Sequence, residues 1–573
     1  MIWIRRHAVW LALTLCVLVV VVIALFLGGG MHGMYADDYV YKYFGSDLVK
    51  TDWTPNIQDV NYRVLAIWIA PLLARWLPDA ELPIRLGLIA IHLLNVFLLG
   101  WLAQRLTGAR GVGVVAGGAF LIPLFAYEPL LWFSAGVFYL FPLSLLLVGF
   151  HLLLSCRSVR QFYFVVGAIA AWVTMIFFIE SGLLLPALTA PMALLMARRG
   201  VRVDRRAWMM ALGVTYVVFL AYAFLVLRSS PIVAVHGKST LDPIIILTQR
   251  VPEVFDSVIA YAADWLPRGV FSDAFLLGTK IWTSSVVFWI LIIAFGAGLI
   301  FAARVVARQW NAERASNALA LLGIGALWFV LALAPVLFIR GLSVSSRVWL
   351  FPSAGLALVA AGAAGWLMEK AGTRPTLVQI AAMVLLGGFL LVNALSMAGL
   401  LRVYQLRWQR DQQQFHALQQ ALPQAPSARV WVFAHALDQT IAQPEFGRAT
   451  RLDGLLYALF DTPWAIDRAL WVAYRTEKIE TIDKDAYGHS HVVGLQLDKN
   501  GEVKSIEFQG TIQIQAVPVT QLLAFTYRAN GFEWLDPLLL TQAEKTYRVL
   551  LPLIEQMGAV PKRAAQIGIE PVR

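Results

Sequence analysis

Two adjacent carboxylates, Asp37 and Asp38, follow the first long apolar run and are the earliest residues whose type and spacing could do chemistry. A carboxylate beside a like charge, and partly withdrawn from water, holds its proton more tightly than usual. That suits a general base acting on a hydroxyl. The same pair could bind a divalent metal through oxygen ligands, or be a solvated acidic loop with neither role. Glu180, in Phe177-Phe178-Ile179-Glu180-Ser181-Gly182, lies between two apolar runs. An ionisable group in such a place faces a cavity or a partner, or else marks a tight turn bent by Gly182. Glu128 ends another apolar run, before Pro129. Arg340 and Arg347 bracket the turn Arg340-Gly341-Leu342-Ser343-Val344-Ser345-Ser346-Arg347, and Tyr62-Arg63 is a second basic candidate. The planar guanidinium binds phosphate through two parallel hydrogen bonds, and a helix-end arginine reaching to water is the competing reading.

Other polar groups carry less. His92 and Asn95 fall about one helical turn apart and are expected to bond to each other or to a neighbouring helix. His489 and His491 are too few to make a metal site. The chain contains no phosphate-binding Walker loop, no HExxH, no GxSxG and no CxxC pair, so nothing in it supports ATP-driven transport. Cys16 and Cys156 both lie in apolar segments, which argues against a disulfide framework.

The elements that must position these groups are membrane helices. Of 573 residues, 59% are hydrophobic and 14% charged, against roughly 25% charged in soluble domains. The run from Ala8 to Gly30 carries no charge and follows Arg5 and Arg6. It is too long for a signal-peptide core and is expected to be a retained helix. Further apolar segments near 84–104, 112–127, 136–155, 161–179, 182–197, 207–227, 281–303, 317–339, 349–367 and 377–399 bring the expected count to about eleven spans. Arginine-rich links recur after every second span: Arg105/Arg110, Arg157/Arg160, Arg198 through Arg206, Arg304 through Arg314, and Lys370/Arg374. The positive-inside rule puts those links and the N-terminus in the cytoplasm. The acidic pair, Glu128, Glu180, Arg340, Arg347 and everything after residue 400 then face outward. The net charge of +11 sits beside the spans, so it argues for membrane lipids as partners and against nucleic acid. Segments 64–77, with Trp68 and Trp76, and 248–266, interrupted by Arg250, Glu253, Asp256 and Asp264, read as interfacial.

Composition changes near residue 400. Arg402 to Gln424 reads as a helix leaving the membrane, stopped by Pro423 and Pro426. Strands are expected at Arg429–Ala434, Ala469–Tyr474, His491–Leu497, Val503–Phe508 and Thr511–Val519, with a hairpin turn at Asn500-Gly501. Residues 535–557 read as helical. The expected fold is therefore an all-α polytopic membrane domain over 1–400, an exit helix over 401–424, and a small α+β extracytoplasmic domain over 425–573.

Five stretches, in order, resemble the GT-C glycosyltransferases, in particular the transmembrane O-mannosyltransferases and their bacterial relatives. They are Ala36-Asp37-Asp38-Tyr39; Tyr62-Arg63-Val64-Leu65; Ile91-His92-Leu93-Leu94-Asn95 with Gln104-Arg105-Leu106-Thr107-Gly108; Glu128 to Gly136 with Glu180-Ser181-Gly182; and Ser346-Arg347-Val348-Trp349-Leu350-Phe351-Pro352-Ser353. The resemblance spans roughly residues 1–400. Val64 stands where the family has proline, Ile179 where a lysine precedes the glutamate, and no tetratricopeptide array follows.

The resemblance implies inverting transfer of a sugar from a polyprenyl-phosphate donor to a protein, glycan or lipid acceptor on the outer face of a plasma (inner) membrane. Asp37 would be the base and Asp38 its partner. Arg347 and Arg63 would bind phosphate, with Tyr62, Glu180, Glu128 and Arg340 also contacting substrate. No cofactor is implied beyond a divalent metal at Asp37/Asp38. A secondary transporter, or a flippase or polymerase of lipid-linked glycans, is the rival class. A transporter would carry its charges mid-bilayer and show inverted repeats.

Overall fold

The computed structural model describes residues 42–43, 64–76, 81–122, 126–157, 161–201, 204–229, 243–283, 317–338, 346–370, 375–424, 426–434, 463–476, 478–482, 491–509, 514–528, 531–542, 545–556 and 563–569. They divide into two compact units, one holding 64–70 and 81–402, the other 42–43, 71–76 and the residues from 403 onward.

The first unit is helical. Among the described residues five helices are long and apolar enough to cross a bilayer: Pro83–Thr107, Phe133–Ser155, Ala318–Leu337, Ser346–Lys370 and Val384–Ala421. Three shorter apolar helices, Arg110–Leu121, Phe162–Ile176 and Leu185–Arg198, accompany them. The expected span at 8–30 and all but the first three residues of the one at 281–303 lie outside the described residues, so the figure of eleven has no counterpart here. The expected run at 182–197 begins as two short 3₁₀ turns, Glu180–Gly182 and Leu185–Leu188, before the Thr189–Arg198 helix. Arg205–Ser229 is helical, as is most of 243–283, where π-helical turns alternate with the Val251–Ile259 and Phe275–Thr283 helices.

Helix packing follows membrane rather than soluble rules: small residues let backbones approach where apolar burial gives no drive between helices. A Cβ on Gly325 would lie 2.7 Å from the Gly355 carbonyl oxygen, and one on Gly355 would lie 2.8 Å from that of Gly325. Those contacts join the Ala318–Leu333 and Leu350–Lys370 helices, and Trp328 Nε1 donates to the Phe351 carbonyl at 2.9 Å across the same seam. Polar groups inside the bundle are spent on neighbouring backbone. His92 Nε2 lies 3.0 Å from the Leu121 carbonyl, Asn95 Nδ2 donates to Leu140 O at 2.9 Å, and Ser144 Oγ donates to Asn95 Oδ1 at 2.7 Å. His92 and Asn95 thus serve neighbouring helices. Trp68 on the Val64–Ala74 helix and Trp76 in the turn after it are exposed.

In the second unit the helix that began at Pro375 continues to Ala421. Its last turns bury Arg410, Asp411 and Gln414, with Arg407 Nε 3.8 Å from Asp411 Oδ2. One sheet has the order β2 (Ile479–Thr481), β1 (Val430–Ala434), β6 (Leu522–Arg528), β7 (Gly531–Gln542), β8 (Lys545–Val549), with β9 (Arg563–Gly568) also paired to β7. β1 runs parallel to both β2 and β6, while β6, β7 and β8 form an antiparallel meander. A second sheet is β3 (His491–Leu497), β4 (Val503–Gln509) and β5 (Ile514–Pro518). The β3–β4 turn is built by Asp498, whose Oδ1 accepts from the Asn500 and Glu502 amides, with Gly501 at φ +81°.

Two expectations are corrected here. Residues 469–474 belong to a helix, Pro463–Tyr474, rather than a strand. Its aromatic residues look strand-like but act as anchors: Trp471 Nε1 donates to Ile479 O at 2.5 Å and Tyr474 Oη to Leu422 O at 2.8 Å. Residues 535–542 and 545–549 belong to strands β7 and β8 rather than a helix, and of the described residues in 535–557 only Pro552–Gln556 are helical. Leu538 and Leu540 are buried while Leu539 between them is less so. That is the two-residue period of a strand, and sheet pairing overrides leucine's helical preference.

Candidate functional site

Three turns meet at one end of the first unit. The first is the short helix Glu128–Leu131, which has Pro129 where its missing amide costs nothing. The second is the 3₁₀ turn Ser346–Trp349, which leads directly into the Leu350–Lys370 helix. Pro352 stands in the first turn of that helix, where amides have no intrahelical acceptor. The third is Glu180–Gly182. A Cβ on Gly182 would lie 2.5 Å from Met175 Sδ and 3.3 Å from Phe351 Cε1, so this glycine lets the third turn close on the first turn of the Leu350–Lys370 helix.

The side chains tie the turns together. The Glu128 amide donates to Ser346 Oγ at 3.2 Å, joining residues 218 apart in sequence. The next side chain, Arg347, sets its guanidinium carbon 5.2 Å from the centre of the Trp132 ring. Such a cation–π contact is worth ~0.5–2 kcal/mol, and it holds the planar fork in one orientation. Tyr261 enters from the helical segment 243–283. Its ring stacks on Trp349 with centroids 5.2 Å apart and planes 21° apart. Its hydroxyl is hydrogen-bonded to the Ser346 side chain.

Burial pushes the Tyr261 phenol well above the ordinary tyrosine range, and the charge of Glu128 adds to that; the hydrogen bond to Ser346 acts in the opposite sense. Tyr261 therefore stays protonated and available as a donor at any physiological pH. Arg250, the last residue of the turn that runs directly into the Val251–Ile259 helix, is buried; it pairs with Glu253, and its Nη2 donates to the Val336 carbonyl at 3.1 Å. The result is a mixed cluster: a carboxylate, a guanidinium on an indole face, and two hydroxyls in contact. It could orient a phosphate or a sugar hydroxyl.

Of the residues read from the sequence, Glu128 and Arg347 come together here, while the Glu180–Gly182 turn reaches the neighbouring Leu350–Lys370 helix through the contact of Gly182 with Phe351. Asp37, Asp38, Tyr62, Arg63 and Arg340 lie outside the described residues. Trp132, Tyr261 and Ser346 were not assigned roles by sequence reasoning, nor were the buried Arg85 and Arg250. Arg85, in Leu82-Pro83-Ile84-Arg85-Leu86, did carry a signal: it is the one charge between Glu81 and Arg105 in an apolar helix, and it is buried in the fold. Tyr261 carried none, because its role depends on residues 85 and more positions away in the sequence.

No protein-family model matches the chain, and no curated protein does. Among solved structures, ArnT from Cupriavidus metallidurans in the apo state is 15% identical, over 76% of this chain and 84% of that one, with a TM-score of 0.34. The same protein bound to undecaprenyl phosphate is 15% identical, over 84% and 92%, with a TM-score of 0.35. The archaeal oligosaccharyltransferase AglB from Archaeoglobus fulgidus, in complex with an inhibitory peptide and a dolichol-phosphate, is 13% identical over 77% of this chain and 63% of that one, with a TM-score of 0.37. Likeness at this level leaves function to be argued from the chain's own residues.

Proposed function

We propose that this protein is a membrane glycosyltransferase that moves a sugar from a polyprenyl-phosphate donor to an acceptor on the non-cytoplasmic face, with inversion. The supporting observation is the cluster of Arg347, Trp132, Ser346, Tyr261 and Glu128 at one end of an apolar helical bundle. A guanidinium fixed at the end of such a bundle suits the leaving phosphate of a lipid. Negative charge grows on that phosphate as the glycosidic bond breaks, so a preorganised cation there stabilises the transition state more than the ground state. Asp37 takes the proton of the acceptor hydroxyl as its oxygen attacks the anomeric carbon, and Asp38 raises the proton affinity of that base. Arg63 and Arg340 assist with phosphate; Glu128 and Glu180 orient substrate.

The test is to incubate the purified protein with polyprenyl-phosphate sugars and assay release of the lipid phosphate. Wild type is expected to release it, and Asp37→Asn to release none while still inserting into membranes. A transporter or flippase would leave the donor intact, and full activity of the Asp37→Asn variant would reject the assignment of the base.

A further inference from the structure

The opposite chemistry gathers where three of the arginine-rich links converge. Arg105, at the end of the Pro83–Thr107 helix, donates through Nη1 to the His151 carbonyl at 3.1 Å and to Ser155 Oγ at 3.2 Å. Its guanidinium also lies 5.3 Å from the Trp101 ring centre, and that ring stacks on His151 at 4.2 Å. Arg157 is close enough to repel it electrostatically. Arg199 closes the group by donating to the Arg105 carbonyl. Residues 105, 157 and 199 come from three different links, and no carboxylate among the described residues is paired with any of them. The nearest acid in sequence, Asp204, is taken up in accepting from the Arg206 and Ala207 amides. Like charges brought together in this way attract an anion.

Beside this group an apolar slot of about 180 Å³ runs between the Thr189–Arg198 and Ala318–Leu333 helices. Leu194, Leu195, Gly323, Ile324 and Leu327 line it, and Arg198 is its one charged lining residue. Arg198 is exposed, as are Leu194 and Leu327. The helix ends here in a tight cap: the Gly200 amide donates to Ala197 O at 2.9 Å and that of Val201 to Met196 O at 3.1 Å, with Gly200 at φ +73°. The cap fixes where Arg198 and Arg199 leave the helix.

We propose that this end of the bundle is a binding site for an anionic glycerophospholipid, with one acyl chain in the slot and the phosphate on Arg198. Arg105, Arg157 and Arg199 supply the positive field that selects an anionic headgroup. A favourable helix-terminus interaction accounts for an arginine at position 198 or 199. It does not account for an apolar slot ending on one of them, or for two more guanidinia gathered alongside. Basic pockets between membrane helices are established sites for anionic headgroups. This site is separate from the Arg347 cluster and does not depend on the proposed transfer reaction.

Native mass spectrometry of the full-length protein, titrated with phosphatidylglycerol or phosphatidylcholine of identical chains, tests it. Wild type is expected to retain phosphatidylglycerol at least fivefold over phosphatidylcholine, and Arg198→Gln to bring that ratio near one. Gly323→Leu attacks the chain half alone, since a Cβ there meets nothing within 4 Å and the new side chain has open space to enter. It should weaken retention of both lipids several-fold while keeping the preference. Equal retention of the two lipids by wild type would overturn the proposal, as would an unchanged ratio in Arg198→Gln. Full displacement by millimolar inorganic phosphate, with no effect of Gly323→Leu, would also overturn it by reducing the site to a simple anion patch.

Discussion

Two arginines at different places in the same helical unit are fixed in contrasting ways. Arg347 lies over an indole in a cluster that also contains a carboxylate and two hydroxyls, Ser346 and Tyr261. Arg105 also lies over an indole, but its hydrogen bonds go to a backbone carbonyl and a serine, and its charged neighbour is another arginine. The same contact therefore serves different ends. Around Arg105 the polar groups finish a helix junction; around Arg347 they leave a preorganised cation next to groups of varied chemistry. The first arrangement is a structural clasp with a field, and the second has the makings of a reaction site.

The largest expected effect breaks this contrast outright. Arg347→Gln keeps the size of the side chain roughly and removes the charge. If Arg347 stabilises the departing phosphate, kcat/KM for donor cleavage should fall ~10²–10³-fold, the range seen when a transition-state donor is removed. Melting temperature should change little. Arg105→Gln should do the reverse: stability drops by ~1–3 kcal/mol as buried acceptors lose a charged donor, and the properly inserted fraction keeps near-normal kcat. A loss of turnover for Arg105→Gln equal to that for Arg347→Gln would dissolve the comparison.

Tyr261→Phe sharpens it next. The substitution preserves the stack on Trp349 and removes only the hydroxyl that meets Ser346, at a net cost of ~0.5–1.5 kcal/mol if the bond is simply lost. Activity should fall by no more than about tenfold. The pH dependence follows from the sign of the shift. The unfolded phenol ionises near ~10, whereas the folded one resists ionisation to higher pH. Stability contributed by the buried neutral phenol is thus fully present below pH ~10 and declines as pH rises beyond it. Activity profiles of wild type and Tyr261→Phe should therefore coincide in shape from pH 6 to 9. An alkaline limb below pH 9 that vanishes in the variant would mean the phenol ionises in the working range.

How much of this was legible in the sequence depends on the range of the signal. The helical character expected for Arg402 to Gln424, which the structure shows as far as Ala421 in one helix continuous from Pro375, and the β3–β4 hairpin with its Asn500-Gly501 turn are local patterns. Glu128 and Arg347 stood out because charges at the ends of apolar runs are rare. Tyr261 and Trp132 did not, since an aromatic residue near a membrane surface is ordinary until its partner is known. The Leu538-Leu539-Leu540 run misled for a related reason: three leucines show no period, and only pairing with β8 and β9 turns them into a strand. Trp471 through Tyr474 erred the other way, with β-prone residues held helical by side-chain bonds to Ile479 and Leu422.

The smallest effect concerns the arginine-rich junction alone and probes whether it is a clasp. Gly108 has φ +82°, and a Cβ there would lie 2.3 Å from Arg199 Nη2. Gly108→Ala should therefore cost ~1–2 kcal/mol in backbone strain, plus whatever displacement of the Arg199 guanidinium requires. Arg199→Lys trades a planar fork for a point charge and weakens the bond to the Arg105 carbonyl, by ~1 kcal/mol. If the two groups press on each other, the double variant should be less destabilised than the sum of the singles, because lysine vacates the space alanine needs. A coupling of ~0.5 kcal/mol or more in that direction, read by chemical or thermal unfolding in detergent, is expected for neighbours in contact. Strict additivity would mean that the guanidinium is displaced at no cost, and that the junction is looser than its hydrogen bonds imply. Donor cleavage should be the same in all four proteins, since no group in this junction belongs to the Arg347 cluster.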